Sequence, residues 1–178
     1  STASGQSSTT MGSGSSSTGR GSLALGNDAK ALANNATAVG AGNHGGTETK
    51  ASGSASSAFG VDAQAMSANS LAMGSFSRAD GTSSIAIGDR ANASNVGAIA
   101  LGAASTAHQE LDVAVGAAAE TSATVAATGN TIAGKAYTFA GTNPVAAFSV
   151  GNAGQVRQIQ NVAAGQINAN STDAINGS

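Results

Sequence analysis

Few side chains in this 178-residue chain are equipped for chemistry, and they are scattered. The two histidines, His44 and His108, have no second histidine or cysteine at ligand spacing. They read as a solvated loop residue and a turn residue, so no metal site is expected. Glu110 and Asp112 share one side of a short stretch, as an acid/base pair would. Nothing around them suggests the cleft that would perturb their ionisation, so they read as solvated surface carboxylates. Gly12-Ser13-Gly14 lacks the strand–loop–helix setting of a phosphate cradle. The absence of cysteine removes thiolate nucleophiles, disulfides and Cys-ligated metals. No catalytic residue and no cofactor is expected, and an enzyme is not the reading. Asp28/Lys30 and Glu48/Lys50 read as solubilising edge charges. His44, Glu48, Lys50, Arg78 and Arg90 form the candidate ligand surface, a face and not a cleft.

Composition narrows the class further. Seven Lys/Arg against nine Asp/Glu, with no basic cluster, leave no electrostatic footprint for nucleic acid. No apolar run approaches the roughly 18 residues of a membrane span, and no signal peptide opens the chain, which reads as a segment of something longer. Leu, Ile, Val and Phe make up only 27 residues, too few for an ordinary globular core. The net charge of −2 is too small for the usual charged disordered chain. Small residues at fixed spacing suit the thin layers of a solenoid instead.

The elements that must carry these residues come from a repeat. Ser84-Ile85-Ala86-Ile87-Gly88 recurs, with variations, so that closing glycines stand at Gly12, Gly26, Gly40, Gly60, Gly74, Gly88, Gly102 and Gly116. Every interval is 14 residues except the 20 between Gly40 and Gly60, where Ala41 to Gly46 read as an enlarged loop. Counted from each glycine, positions +3 and +5 are small and +2 and +4 carry most of the charge, the alternation of a strand with one wet face. Positions +11 and +13 are the large apolar pair in most units, Leu23/Leu25, Leu71/Met73, Ile85/Ile87, Ile99/Leu101 and Val113/Val115, with Thr37 and Ser57 departing at the first large position. Between them +12 is always alanine: Ala24, Ala38, Ala58, Ala72, Ala86, Ala100 and Ala114.

Each unit therefore holds two short strands, and seven units at ~4.8 Å per layer make a rod of roughly 35 Å. The preferred placement puts the large pair inside the roll as the repeat core. The alanine face then packs closely against neighbouring chains. The reverse placement stays open on sequence alone, and either one leaves a face that calls for self-association.

The remaining segments break this rhythm. Residues 1–12 read as a frayed or degenerate first repeat, and 13–116 as the regular roll. Residues 117–147 read as a projecting β-hairpin or meander, with strands over Thr121–Val125 and Ala136–Ala140 joined through Gly129-Asn130. The repeat returns once as Ala147-Phe148-Ser149-Val150-Gly151, and Ser171-Thr172-Asp173 is placed to cap a helix beginning near Asp173.

These motifs resemble the YadA-like head of trimeric autotransporter adhesins. Arg157-Gln158-Ile159-Gln160-Asn161-Val162-Ala163-Ala164-Gly165 and Ser171-Thr172-Asp173-Ala174-Ile175-Asn176-Gly177-Ser178 are similar to the neck that follows such heads. The resemblance implies an all-β, left-handed parallel β-roll (solenoid) of 14-residue repeats, assembled as a homotrimer. It carries a β insert, and a neck over 148–178 leads to a coiled coil. It also implies the exposed head of a Gram-negative outer-membrane adhesin, attaching the cell to host extracellular matrix or host-cell proteins. The membrane is reached only through a C-terminal anchor absent from this segment. The competing readings are a spacer rod presenting a more distal binding domain and, with less support, a left-handed β-helix acyltransferase, whose hexapeptide period does not match 14.

Overall fold

The computed structural model describes residues 1–42 and 47–177. The chain winds into a parallel two-sheet solenoid. Each coil contributes a two-residue strand to an eight-stranded sheet, as in Lys30–Ala31 or Arg78–Ala79, and a three-residue strand to a nine-stranded sheet, as in Leu71–Met73 or Ile85–Ile87. The register advances one repeat per rung: Leu71↔Ile85, Ala72↔Ala86 and Met73↔Ile87, then Ile85↔Ile99, Ala86↔Ala100 and Ile87↔Leu101. Residues 1–12 are not frayed. Thr2–Ala3 and Thr9–Met11 pair in register with Ser16–Ser17 and Leu23–Leu25, so the stretch forms a full first coil.

Two tight turns per coil close the roll, and each has a left-handed residue. One falls at +2 (Asp28, φ 53°; Asp62, φ 56°) and the other at +9 (Asn35, φ 55°; Asn69, φ 57°). The two are seven residues apart, so the 14-residue unit is itself a doubled strand-and-turn. Asn and Asp tolerate this conformation because their short polar side chains bond locally. The closing glycine is required twice over. Gly88 has φ 133°, and a Cβ there would lie 2.5 Å from the carbonyl oxygen of Gly102 in the next coil.

The interior reverses the preferred placement. Ala24, Ala38, Ala58, Ala72, Ala86, Ala100 and Ala114 are fully buried inside the roll, opposite Ala31, Ala51, Ala65, Ala79, Ala93 and Ala107 from the other sheet. The large pair points outward, and Leu25 and Met73 are 38% and 42% exposed. The coil encloses too little volume for Leu, Ile or Met once the turns bring the two strands face to face. Alanine and serine therefore dominate it, and among the described residues nothing apolar larger than alanine is buried there. Serines enter this apolar column because their hydroxyls stay bonded: Ser84 Oγ donates to Gly81 O (2.7 Å) and Ser56 Oγ to Gly53 O (2.7 Å).

The departures from the repeat are also resolved. Gly42 N still donates to Asn27 O (2.8 Å) and Ala41 O accepts from Asp62 N (3.2 Å), so the enlargement begins after Gly42 and not at Ala41. The insert does contain an antiparallel hairpin, but its strands are Gly129–Ile132 and Lys135–Thr138. Ala133 and Gly134 both have positive φ (50° and 79°) and make the two-residue turn, which leaves Gly129-Asn130 inside a strand. Thr121 is no hairpin residue: it is buried at +5 of the last coil. After the insert Phe148–Ser149 rejoins the nine-stranded sheet beside Val113-Ala114. No helix begins near Asp173 within the described residues. Five described residues from Asp173 onward offer little more than one turn, and a helix nucleus that short is unstable.

Arg157 caps the last coil. Its guanidinium donates to Val150 O (2.5 Å) and Ala117 O (2.6 Å). In interior coils the matching carbonyls accept from the following coil, as Met73 O does from Gly88 N (2.8 Å) and Ser13 O from Asp28 N (2.8 Å). The side chain also lies over Gly116, 3.2 Å from where a Cβ would sit, on the surface that a further coil would cover.

Two predictions follow from this packing. Ala86→Leu overfills the interior and lowers stability by about 1–3 kcal/mol, whereas Ile87→Asp leaves the far-UV circular dichroism of the roll intact. Arg157→Ala strips two carbonyls of their donors and lowers Tm by ~2–4 °C, read by thermal unfolding.

Candidate functional site

With the interior sealed by small residues, only the outer faces can engage anything. The two sheets present opposite chemistries. Outside the eight-stranded sheet runs a polar column in strict register: Ser16, Lys30, Lys50, Gln64, Arg78, Asn92 and Thr106. Outside the nine-stranded sheet run two apolar columns, one through Leu23 and then Leu71, Ile85, Ile99, Val113 and Phe148, the other through Met11, Leu25, Val39, Phe59, Met73, Ile87, Leu101 and Val115. Thr37 and Ser57 interrupt the first column, so the apolar face is weakest near the enlarged loop.

The candidate ligand residues are placed unequally. Lys50 stands directly beside Lys30 in the polar column, with Arg78 two rungs further on. Glu48 is 3.8 Å from the Lys30 ammonium, which offsets part of the like-charge repulsion between neighbouring rungs. Arg78 is bound by both oxygens of Asp80 (2.8 and 2.6 Å) yet remains half exposed. Arg90 belongs to a different column, the +2 turn, where it pairs with Asp89 (2.6 Å). His44 lies outside the described residues. Such exposed pairs are held weakly, and their charges remain available to a partner.

One informative surface residue, Phe76, was not singled out from the sequence. Phe76 takes a left-handed conformation (φ 55°), which is uncommon for a bulky side chain, and stays 40% exposed with the Arg90 guanidinium 5.4 Å above its ring. The signal was present, because an aromatic stands at a +2 position otherwise given to Gly, Asp, Ala or Arg. His108 pairs through Nε2 with Glu120 (2.9 Å) across one rung, on an open surface. Glu110 is exposed, but Asp112 is fully buried, so the two are not a pair of surface carboxylates. Among the described residues no group of three His, Cys, Asp or Glu is gathered as metal ligands. A shallow open groove at the C-terminal end is lined by Glu120, Phe148, Val150, Val156 and Arg157, the last already spent on capping.

The YadA head domain repeat model matches residues 3–29, 17–43, 51–77 and 79–105, just over half of the chain, and its first two matches are offset by one 14-residue coil. The chain belongs to the YadA head repeat family. A stretch of 60 residues is 53% identical to the autotransporter adhesin BtaE of Brucella suis biovar 1 (strain 1330), covering 34% of this chain and 8% of that protein. The collagen-binding domain of the Yersinia adhesin YadA is 26% identical over 94% of this chain and 69% of its own, with a TM-score of 0.50. The C-terminal YadA-like domain of BPSL2063 from Burkholderia pseudomallei is 41% identical over 56% of this chain and 41% of its own, with a TM-score of 0.43. This YadA-like head thus spans less than a tenth of the length of the curated relative it matches.

A prediction follows for the exposed turn of this head. Arg90→Ala uncovers the Phe76 ring while leaving the roll folded, because neither side chain enters the interior. The expected outcome is an unchanged circular dichroism spectrum and increased binding of a hydrophobic dye; an unfolded variant would show that the pair supports the coil.

Proposed function

We propose that this chain is the head of a trimeric autotransporter adhesin. It is displayed on the surface of a Gram-negative bacterium and attaches the cell to host extracellular matrix, without catalysing a reaction. The observation that carries this reading is the opposition of two outer faces, one an unbroken run of small polar and charged side chains and the other a double apolar ladder. A large apolar stripe on a rod demands a cover. A closed ring of identical copies, each turning its ladder inward, supplies one without leaving an edge open. The polar columns are then left outward along the full length of the rod.

The matrix partner is best supported by the resemblance to a collagen-binding domain, which reaches 94% of this chain. Collagen is a long rod whose contacts are distributed along its axis, and a polar column with one side chain per rung suits such a partner better than a pocket would. Residues 148–178, in which Val156 and Ile167 are almost fully exposed, act as the neck that leads to a stalk, where the meeting of three chains covers these apolar side chains.

Sedimentation of the whole segment tests the assembly: a trimer is expected, and Ile87→Asp combined with Ile99→Asp should give folded monomers. A stable monomer from the unsubstituted chain would defeat the trimer. Surface plasmon resonance on immobilised collagen tests the ligand. Lys50→Glu with Arg78→Glu should weaken binding about tenfold, and the effect should shrink as salt is raised. Absence of binding to collagen, fibronectin and laminin would favour the spacer rod.

A further inference from the structure

The insert creates a bonding problem in the last coil, and one residue answers it. In a regular coil the amide at +10 donates to the carbonyl three residues earlier, as Ser84 does to Gly81 (3.1 Å) and Ala98 to Asn95 (3.1 Å). Ala147 holds the +10 place of the last coil, because its carbonyl accepts from Val113 N (2.9 Å) just as Ala98 O accepts from Ile85 N (2.9 Å). Its preceding turn, however, has been replaced by the insert. The Ala147 amide donates instead to Oδ1 of Asp112, 2.7 Å away and 35 residues earlier in sequence.

Asp112 itself stands at +10 of the coil below, in a column whose preceding members are Ser8, Ser22, Ala36, Ser56, Ser70, Ser84 and Ala98. It is fully buried, and its second oxygen accepts from Gln109 N (3.1 Å). A buried carboxylate is costly unless it is bonded, and a serine hydroxyl would be the smaller and safer occupant. The enlargement after Gly42 provides the contrast. It falls between +2 and +3, leaves the second turn of its coil whole, and Ser56 N still donates to Gly53 O (3.2 Å). That interruption has no aspartate in the coil below: the +10 residue there is Ala36.

We propose that Asp112 is a positioning residue for the 117–147 insert. Its carboxylate, placed in the +10 column below the interruption, stands in for the backbone acceptor that the insert removes. The latch fixes where the hairpin leaves and re-enters the roll, and it lets Phe148–Ser149 resume the sheet in register. An aspartate at +10 is thereby the sequence mark of a coil whose successor is interrupted in its second turn.

Hydrogen exchange on the whole segment tests this directly. In Asp112→Ser the Ala147 amide should exchange about tenfold faster or more, with Ser84 and Ala98 unchanged. Asp112→Asn, which keeps one carbonyl acceptor, should restore most of the protection. In a second background, residues 122–146 are replaced by a copy of Asp80-Gly81-Thr82-Ser83, which rebuilds a regular turn and gives Ala147 a local acceptor. There Asp112→Ser should raise Tm, whereas in the unaltered chain it should lower it. The same sign in both backgrounds, or unchanged protection of Ala147, would overturn the proposal. If Asp112→Ser unfolds the whole chain, the sign in the rebuilt background decides.

Discussion

The constraint on which everything else depends is the narrowness of the coil. Two left-handed turns seven residues apart fold the chain back so sharply that the facing strands of a regular coil leave room for little more than a methyl or a hydroxymethyl group; the larger buried side chains Thr49, Asp112 and Thr121 stand beside the enlarged loop and the insert. From this narrowness the closing glycines follow, because consecutive coils approach so closely that a Cβ on Gly88 would run into the carbonyl of Gly102. The serines follow as well, since a hydroxyl that bonds its own turn is as small as the space requires. Large apolar side chains are then forced outward, and a molecule with a complete interior still carries an uncovered apolar face. The uncovered apolar face on which the proposed trimer rests is thus a consequence of interior volume more than of a separate interface design.

A solenoid propagates one solution along its length, so its vulnerable points are where the repetition lapses. At the C-terminal end the carbonyls that would feed another coil are met by Arg157, a side chain replacing two backbone donors. At the insert a missing backbone acceptor is met by Asp112. After Gly42 no substitute is needed, because the enlargement falls where both neighbouring hydrogen bonds survive. Charged residues brought to the roll's ends and breaks, and small ones kept within it, are two answers to the same demand that backbone polar groups be satisfied.

The same architecture explains why the groove at the C-terminal end of the described residues is shallow and open. A sealed interior and straight columns of side chains offer contacts that repeat at the spacing of strands, suited to a partner that is itself extended. The proposed binding would accumulate over many weak contacts on such a surface, and the proposed trimer would multiply it.

The sequence by itself determined the period, the number of coils from Gly12 onward, the two strands per coil, the return at Phe148 and the presence of a hairpin in the insert. All of these are local: closing glycines, alternation and turn residues report on neighbours within a few positions. Which face is inside was not legible, because alternation says which residues share a side but not how much space that side encloses. That volume belongs to the closed coil, fixed by two turns and two strands together, and it turned Ile85 and Ile87 outward and Ala86 inward. The hairpin turn shifted for a similar reason: Gly129-Asn130 and Ala133-Gly134 both offered turn residues, and the pairing of Asn130 with Tyr137 selected the second. Asp112 looked like a surface carboxylate because its partner is 35 residues away, brought to it only when the chain returns from the insert to stack on the roll.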